Sequence, residues 1–165
     1  MSHQPVIDGL EFARTGSKLQ GAWPVAEFGR LRDALRTSDG ILQYSLRGVP
    51  DERGRPALRL NVEGALQLVC QRCLGALEFP LRIDASLQLA ATQAEVDAEP
   101  LQAEGPEQIV AGREMPVREL VEDEVLLAIP LAPRHEHCAG GRARAAGGER
   151  SPFAALRGLV SGSKH

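Results

Sequence analysis

Aromatic side chains make up 4% of the 165 residues, with one Trp and one Tyr. That is too few for a platform on which successive nucleic-acid bases stack. Long apolar runs are missing as well: the longest spans only a few residues, against the roughly 20 that a membrane-spanning helix needs. Cysteine is scarce, and its count of three is odd, so a framework of paired disulfides does not fit. Met1-Ser2-His3-Gln4-Pro5 has neither the basic start nor the apolar core of a leader peptide, which predicts a cytoplasmic protein. In that reducing compartment a Cys-x-x-Cys points to a metal or a redox pair. There is no phosphate-cradling glycine motif, no His-Glu-x-x-His and no serine in a nucleophile elbow, and a protein without enzymatic activity is expected.

Net charge is only -3, yet it is unevenly spread. Residues 1–94 carry 11 basic and 10 acidic groups, 95–124 carry 2 and 10, and 125–165 carry 6 and 2. An acidic block followed by a basic tail suits macromolecular contacts of mixed sign, although solvated loops explain each block equally well. Glu122, Asp123 and Glu124 offer a partner surface, and any contact with RNA would run through arginines such as Arg53, Arg55, Arg59, Arg72, Arg134, Arg142 and Arg144 on phosphate.

What the chain does have is alternation. Leu58, Leu60, Val62, Leu66 and Leu68 share one parity while Arg59, Asn61, Glu63 and Gln67 share the other, the pattern of a half-buried strand. Leu77 to Leu89 repeats it, so Leu58 to Leu89 reads as a long β-hairpin with Cys70-Gln71-Arg72-Cys73 at its tip and Gly75 to absorb the unusual dihedral. Ile41 to Leu46 alternates too and makes a third strand, led into the hairpin by a Gly- and Pro-rich loop over 48–56. Residues 1–23 predict a short strand or extended arm and then an irregular stretch. Pro24 to Arg36 predicts a helix with Val25, Phe28, Leu31 and Leu35 inward. The acidic stretch 94–113 predicts a loop with a short strand near 108–111, and Pro116 opens a second helix, Val117 to Ile129, as the main plug of the sheet. The fold class is therefore α+β: an antiparallel meander with a long central hairpin, covered by two amphipathic helices. A single domain over 1–138 is expected, followed over 139–165 by a flexible Gly, Ala and Arg linker and a short amphipathic segment.

Zinc takes four thiolate or imidazole ligands, often as two pairs brought together by the fold. Cys70 and Cys73 have knuckle spacing, and Cys138 with His135 or His137 offers the second pair. The alternative is reduced thiols at a hairpin end. A thiol oxidoreductase is a third reading, but such sites place the Cys-x-x-Cys at a helix N-terminus, whereas this one lies between strands.

Val62-x-Gly64-x-Leu66-x-Leu68-Val69-Cys70-Gln71-Arg72-Cys73-Leu74, then Leu120-Val121-Glu122-Asp123-Glu124-Val125-Leu126-Leu127-Ala128-Ile129-Pro130-Leu131-x-Pro133-x-His135, then Ser151-Pro152-Phe153-Ala154-x-Leu156 resemble, in order and spacing, the YceD family of large ribosomal RNA subunit accumulation proteins. The resemblance runs from Pro24 to the C-terminus. It implies a non-catalytic role in the synthesis, processing or stability of 23S ribosomal RNA, and so in assembly of the large ribosomal subunit. It also implies that the Cys-x-x-Cys is a common family feature. The region after Pro133 varies among members, some of which have further cysteines where this chain has Cys138 beside histidines. Many relatives have an acidic linker where this chain has its Gly, Ala and Arg tail. The competing class is a protein-interaction module, zinc-stabilised or not, that binds a ribosomal or rRNA-modifying protein without touching RNA.

Overall fold

The computed structural model describes residues 4–98 and 107–138. The chain divides into two compact units, Met1–His135 and Glu136–His165, of which only 136–138 are described in the second. Everything below concerns the first unit unless stated. The expected C-terminal linker and amphipathic segment, with Arg142 and Arg144, lie outside the described residues.

The predicted hairpin is the spine of the molecule. Strands β4 (Pro56–Val69) and β5 (Ala76–Ala90) pair antiparallel over their whole length. Leu58 faces Leu87, Val62 faces Ile83, and Leu66 faces Phe79, so the even-numbered side of β4 meets apolar partners at every step. β3 (Ile41–Pro50) pairs with β4, with Leu46 opposite Leu60 and Tyr44 opposite Val62. Leu42, Leu46, Leu58, Leu60, Val62, Leu66 and Leu68 are all buried and make the floor of one core.

Two strands enlarge this meander. β2 (Lys18–Pro24) adds an antiparallel edge beside β3, and β6 (Glu107–Val110), the short strand expected near 108–111, joins β5 in parallel. The sheet order is β2-β3-β4-β5-β6. A short helix Gln93–Ala98 occupies part of the stretch expected to be loop. β2 also replaces the expected irregular stretch. Its alternation is hidden because Gly21 gives up its side chain to make room for Tyr44, whose ring would lie 2.9 Å from a Cβ there and stacks on Trp23 at 4.3 Å. Before it, a helix α1 (Gly9–Arg14) begins at Asp8, whose carboxylate accepts the backbone N–H of Glu11. The preceding Val6–Ile7 pairs with Met115–Pro116 as a separate two-stranded ladder.

The helix expected over Pro24 to Arg36 is two 3-10 turns, Val25–Glu27 and Gly29–Ala34, separated by an extended Phe28. The reason lies in the burial spacing. Val25, Phe28 and Leu31 are all fully buried at steps of three, the period of a 3-10 helix, while an α-helix would rotate the third side chain off the seam. A segment of this length has little helicity of its own, so burial of these three side chains decides.

The second expected helix forms over Val117–Ala128. Val117, Val121 and Val125 are fully buried at i, i+4 spacing against the sheet. At its C-terminal end Leu127 is exposed. Among the described residues no helix is long and apolar enough to cross a membrane.

Candidate metal centre

The hairpin tip places two thiols where the chain returns from the plug helix. Cys70 ends β4: its N–H donates to the Gly75 carbonyl and its carbonyl accepts from Leu74. The turn is closed by Leu74 in the left-handed region at φ 58°, and not by Gly75 as the sequence suggests. A left-handed leucine costs roughly 1–2 kcal/mol, so surrounding contacts must hold it. Those contacts come from the segment after the plug helix. Gln71 N–H donates to the Pro133 carbonyl at 2.8 Å, and the Arg72 guanidinium donates to the His135 carbonyl at 3.1 Å.

Three potential ligands converge. The sulfurs of Cys70 and Cys73 and a ring nitrogen of His135 all lie within 4.8 Å of one another. His135 Nδ1 stands 3.4 Å from Cys73 Sγ. A tetrahedral zinc ion bonded to sulfur at about 2.3 Å and to nitrogen at about 2.0 Å separates the two ligand atoms by roughly 3.6 Å, so the spacing fits. The other ring nitrogen, Nε2, lies 2.8 Å from the Ala76 carbonyl. A carbonyl only accepts, so Nε2 carries a proton, which leaves Nδ1, on the side of the thiols, as the ring atom that would bind a metal. This is the arrangement by which metal-bound histidines are oriented.

Cys70 is fully buried. Burial pushes its thiol up, but the backbone N–H groups of Cys73, His135 and Arg72 and the Cys73 thiol outweigh it and hold the pKa down to about 5. At neutral pH Cys70 is therefore a thiolate, the form that binds metal. Cys138 lies in the second unit, half-buried, three residues beyond His135. Sequence reasoning found the cysteines and the histidine. It did not find the Ala76 and Pro133 carbonyls, because backbone groups leave no mark in a sequence.

The other expected site residues are placed differently from one another. Arg72 is tied to the His135 carbonyl and braces the knuckle; Arg134 is exposed. Arg55 pairs with Asp51 and donates to Gln88, and Arg59 grips Asp84 through two hydrogen bonds. Glu122 is buried against the second 3-10 turn, accepting the Arg30 backbone N–H at 2.7 Å and its Nε at 3.0 Å. Asp123 accepts from another guanidinium nitrogen of Arg30 at 2.6 Å. Arg30, unremarkable in sequence, thus clamps the plug helix to the turn.

Glu124 is half-buried, and burial first, then the charges of Glu107 and Asp123, hold its carboxyl above the usual carboxylate range. The folded state therefore binds this proton more tightly than the unfolded chain does. The ionised carboxylate weakens folding at neutral pH, and the penalty disappears below about pH 4, where the unfolded chain is protonated too. Glu124→Gln should stabilise by up to about 0.5 kcal/mol near neutrality and by nothing in acid. Thermal melts at the two pH values check this, and a variant less stable than the wild type near neutrality would refute it.

A protein-family model described as large ribosomal RNA subunit accumulation protein YceD matches residues 58–159, well over half of the chain. No solved structure matches it.

Proposed function

From the premise that the chain belongs to the YceD family of large ribosomal RNA subunit accumulation proteins, we propose that it acts in the cytoplasm as a non-catalytic factor supporting synthesis, processing or stability of 23S ribosomal RNA during large-subunit assembly. The observation that carries this reading is the span of the match. It begins at Leu58 inside β4 and takes in the knuckle, β5, the plug helix and His135, so the matched span holds the central hairpin together with the thiol and imidazole cluster.

Within that role the cluster is a structural zinc site. Cys70, Cys73 and His135 hold the ion, and Cys138 is the fourth ligand. Three residues reach at most about 10 Å from His135, ample to bring the Cys138 thiol to the ion. Four protein ligands leave no open position for substrate, in keeping with a scaffold and not a metal catalyst. Zinc would staple the hairpin tip to the chain leaving the plug helix.

The test is a sucrose-gradient profile of cells lacking the protein, with large-subunit RNA precursors probed and a tagged copy followed across fractions. Loss of mature large-subunit RNA, with the tagged protein on large-subunit precursors, is expected. A normal profile with the protein confined to free fractions would overturn the reading.

A further inference from the structure

One face of the sheet is covered by the plug helix, α1 and the 3-10 turns; among the described residues the opposite face is open. Its outward residues include Lys18, Gln20 and Ala22 on β2, then Gln43, Ser45 and Arg47 on β3 after an exposed Ile41, then Arg59, Asn61 and Glu63 on β4. Strand register puts Lys18 directly opposite Arg47, and Arg47 directly opposite Arg59. Three cations therefore stand in one row across three adjacent strands. The next row is Gln20, Ser45 and Asn61. Together with Leu19 and Leu46 the six line an open concavity.

Like charges directly opposite across strands oppose pairing, so this row works against the sheet. Arg59 is relieved by its two hydrogen bonds to Asp84, and Arg82 farther along the face pairs with Glu63. Among the described residues Lys18 and Arg47 have no anionic partner. Protection of a sheet edge against pairing with other chains explains a lysine on β2. It does not explain Arg47, which sits on an interior strand between the other two cations.

We infer that this row is a binding surface for the phosphodiester backbone of an RNA strand, an inference that rests on the ribosomal role proposed above. Strands lie about 4.8 Å apart, so the row spans about 10 Å, enough to meet about two consecutive phosphates of a single strand. Gln20, Ser45 and Asn61 supply neutral donors for the neighbouring phosphate and sugar oxygens. The two rows themselves carry no large outward apolar side chain, and the exposed Ile41 stands alone at the far end of β3, short of the apolar cluster that a lipid surface or a protein hot spot requires. The rows include no aromatic either, so contact runs through the backbone and is indifferent to base sequence.

The test is fluorescence anisotropy of a short labelled RNA of mixed sequence, titrated with the full chain at several salt concentrations. Lys18→Gln with Arg47→Gln should weaken binding about tenfold at moderate salt and flatten the log-log salt slope by about 1.4, the share of two single-strand phosphate contacts. Arg82→Gln, on the same face but already paired, should leave both unchanged. The double variant should melt at or above the wild-type midpoint, since it relieves facing like charges, and Arg82→Gln close to it, since it gives up one exposed ion pair. A double variant with wild-type affinity and slope would overturn the surface, as would a wild-type chain that binds a polyglutamate peptide and no RNA. Either result leaves the gradient profile to judge the ribosomal role separately.

Discussion

A chain carrying Cys70→Ser and Cys73→Ser should purify without the single zinc ion expected of the wild type, and should melt well below it. A ligand that binds only the folded state at a thousandfold above its Kd stabilises by about 4 kcal/mol, which for a domain of this size is a fall of roughly 10 °C on its loss. Complete unfolding, as in an isolated zinc finger, is not expected, because the apolar floor formed by Leu58, Leu60, Val62, Leu66 and Leu68 is independent of the knuckle. The damage should stay local. Without the ion, left-handed Leu74 loses the constraint that holds it, and the hydrogen bonds from Gln71 to Pro133 and from Arg72 to His135 fray together. Amide exchange should quicken over 70–75 and 133–135 while the interior of β4 stays protected. Chelator should lower the wild-type midpoint to the variant's and leave the variant unmoved. Equal metal content in the two chains, or a chelator effect on the variant as large as on the wild type, would sink the zinc site.

Gly48→Ala should cost about 3 kcal/mol or more, at the upper end of what overpacking a core produces. Gly48 is a buried residue of β3 opposite Leu58, and α1 lies directly on it. A Cβ there would collide with the Phe12 carbonyl oxygen and come within 2.7 Å of the Ala13 Cα and 2.8 Å of the Phe12 carbonyl carbon. All three are backbone atoms, so no rotamer change relieves the clash. The helix must lift, exposing Ala13 and straining the hydrogen bond from Gly48 to the Ser17 carbonyl. Gly29→Ala is the control. It has open space within 4 Å and no positive φ, so it should be neutral or stabilise by about 0.5 kcal/mol through the unfolded chain. Urea melts of the two variants decide the matter, and a Gly48→Ala midpoint equal to the wild type's would show that α1 does not rest on this residue.

The sequence by itself determined the hairpin, the third strand, the plug helix and the knuckle. Each is written in a local period: two for Leu58 to Leu68, about 3.6 for Val117, Val121 and Val125, and a fixed spacing for Cys70 and Cys73. The family resemblance drew on the same blocks, and the match over residues 58–159 agrees with it. Tertiary structure decided the rest because the forces involved act between segments far apart in the chain. It made two 3-10 turns of Pro24 to Arg36, since the core accepts Val25, Phe28 and Leu31 only at steps of three. It turned Glu122 inward onto Arg30, which is 92 residues away. It aimed the Nδ1 of His135 at Cys73 by tying the opposite ring nitrogen to the Ala76 carbonyl. The row of Lys18, Arg47 and Arg59 exists only through strand register, and register is fixed by turns and by burial of the opposite face, neither of which any of those three residues encodes.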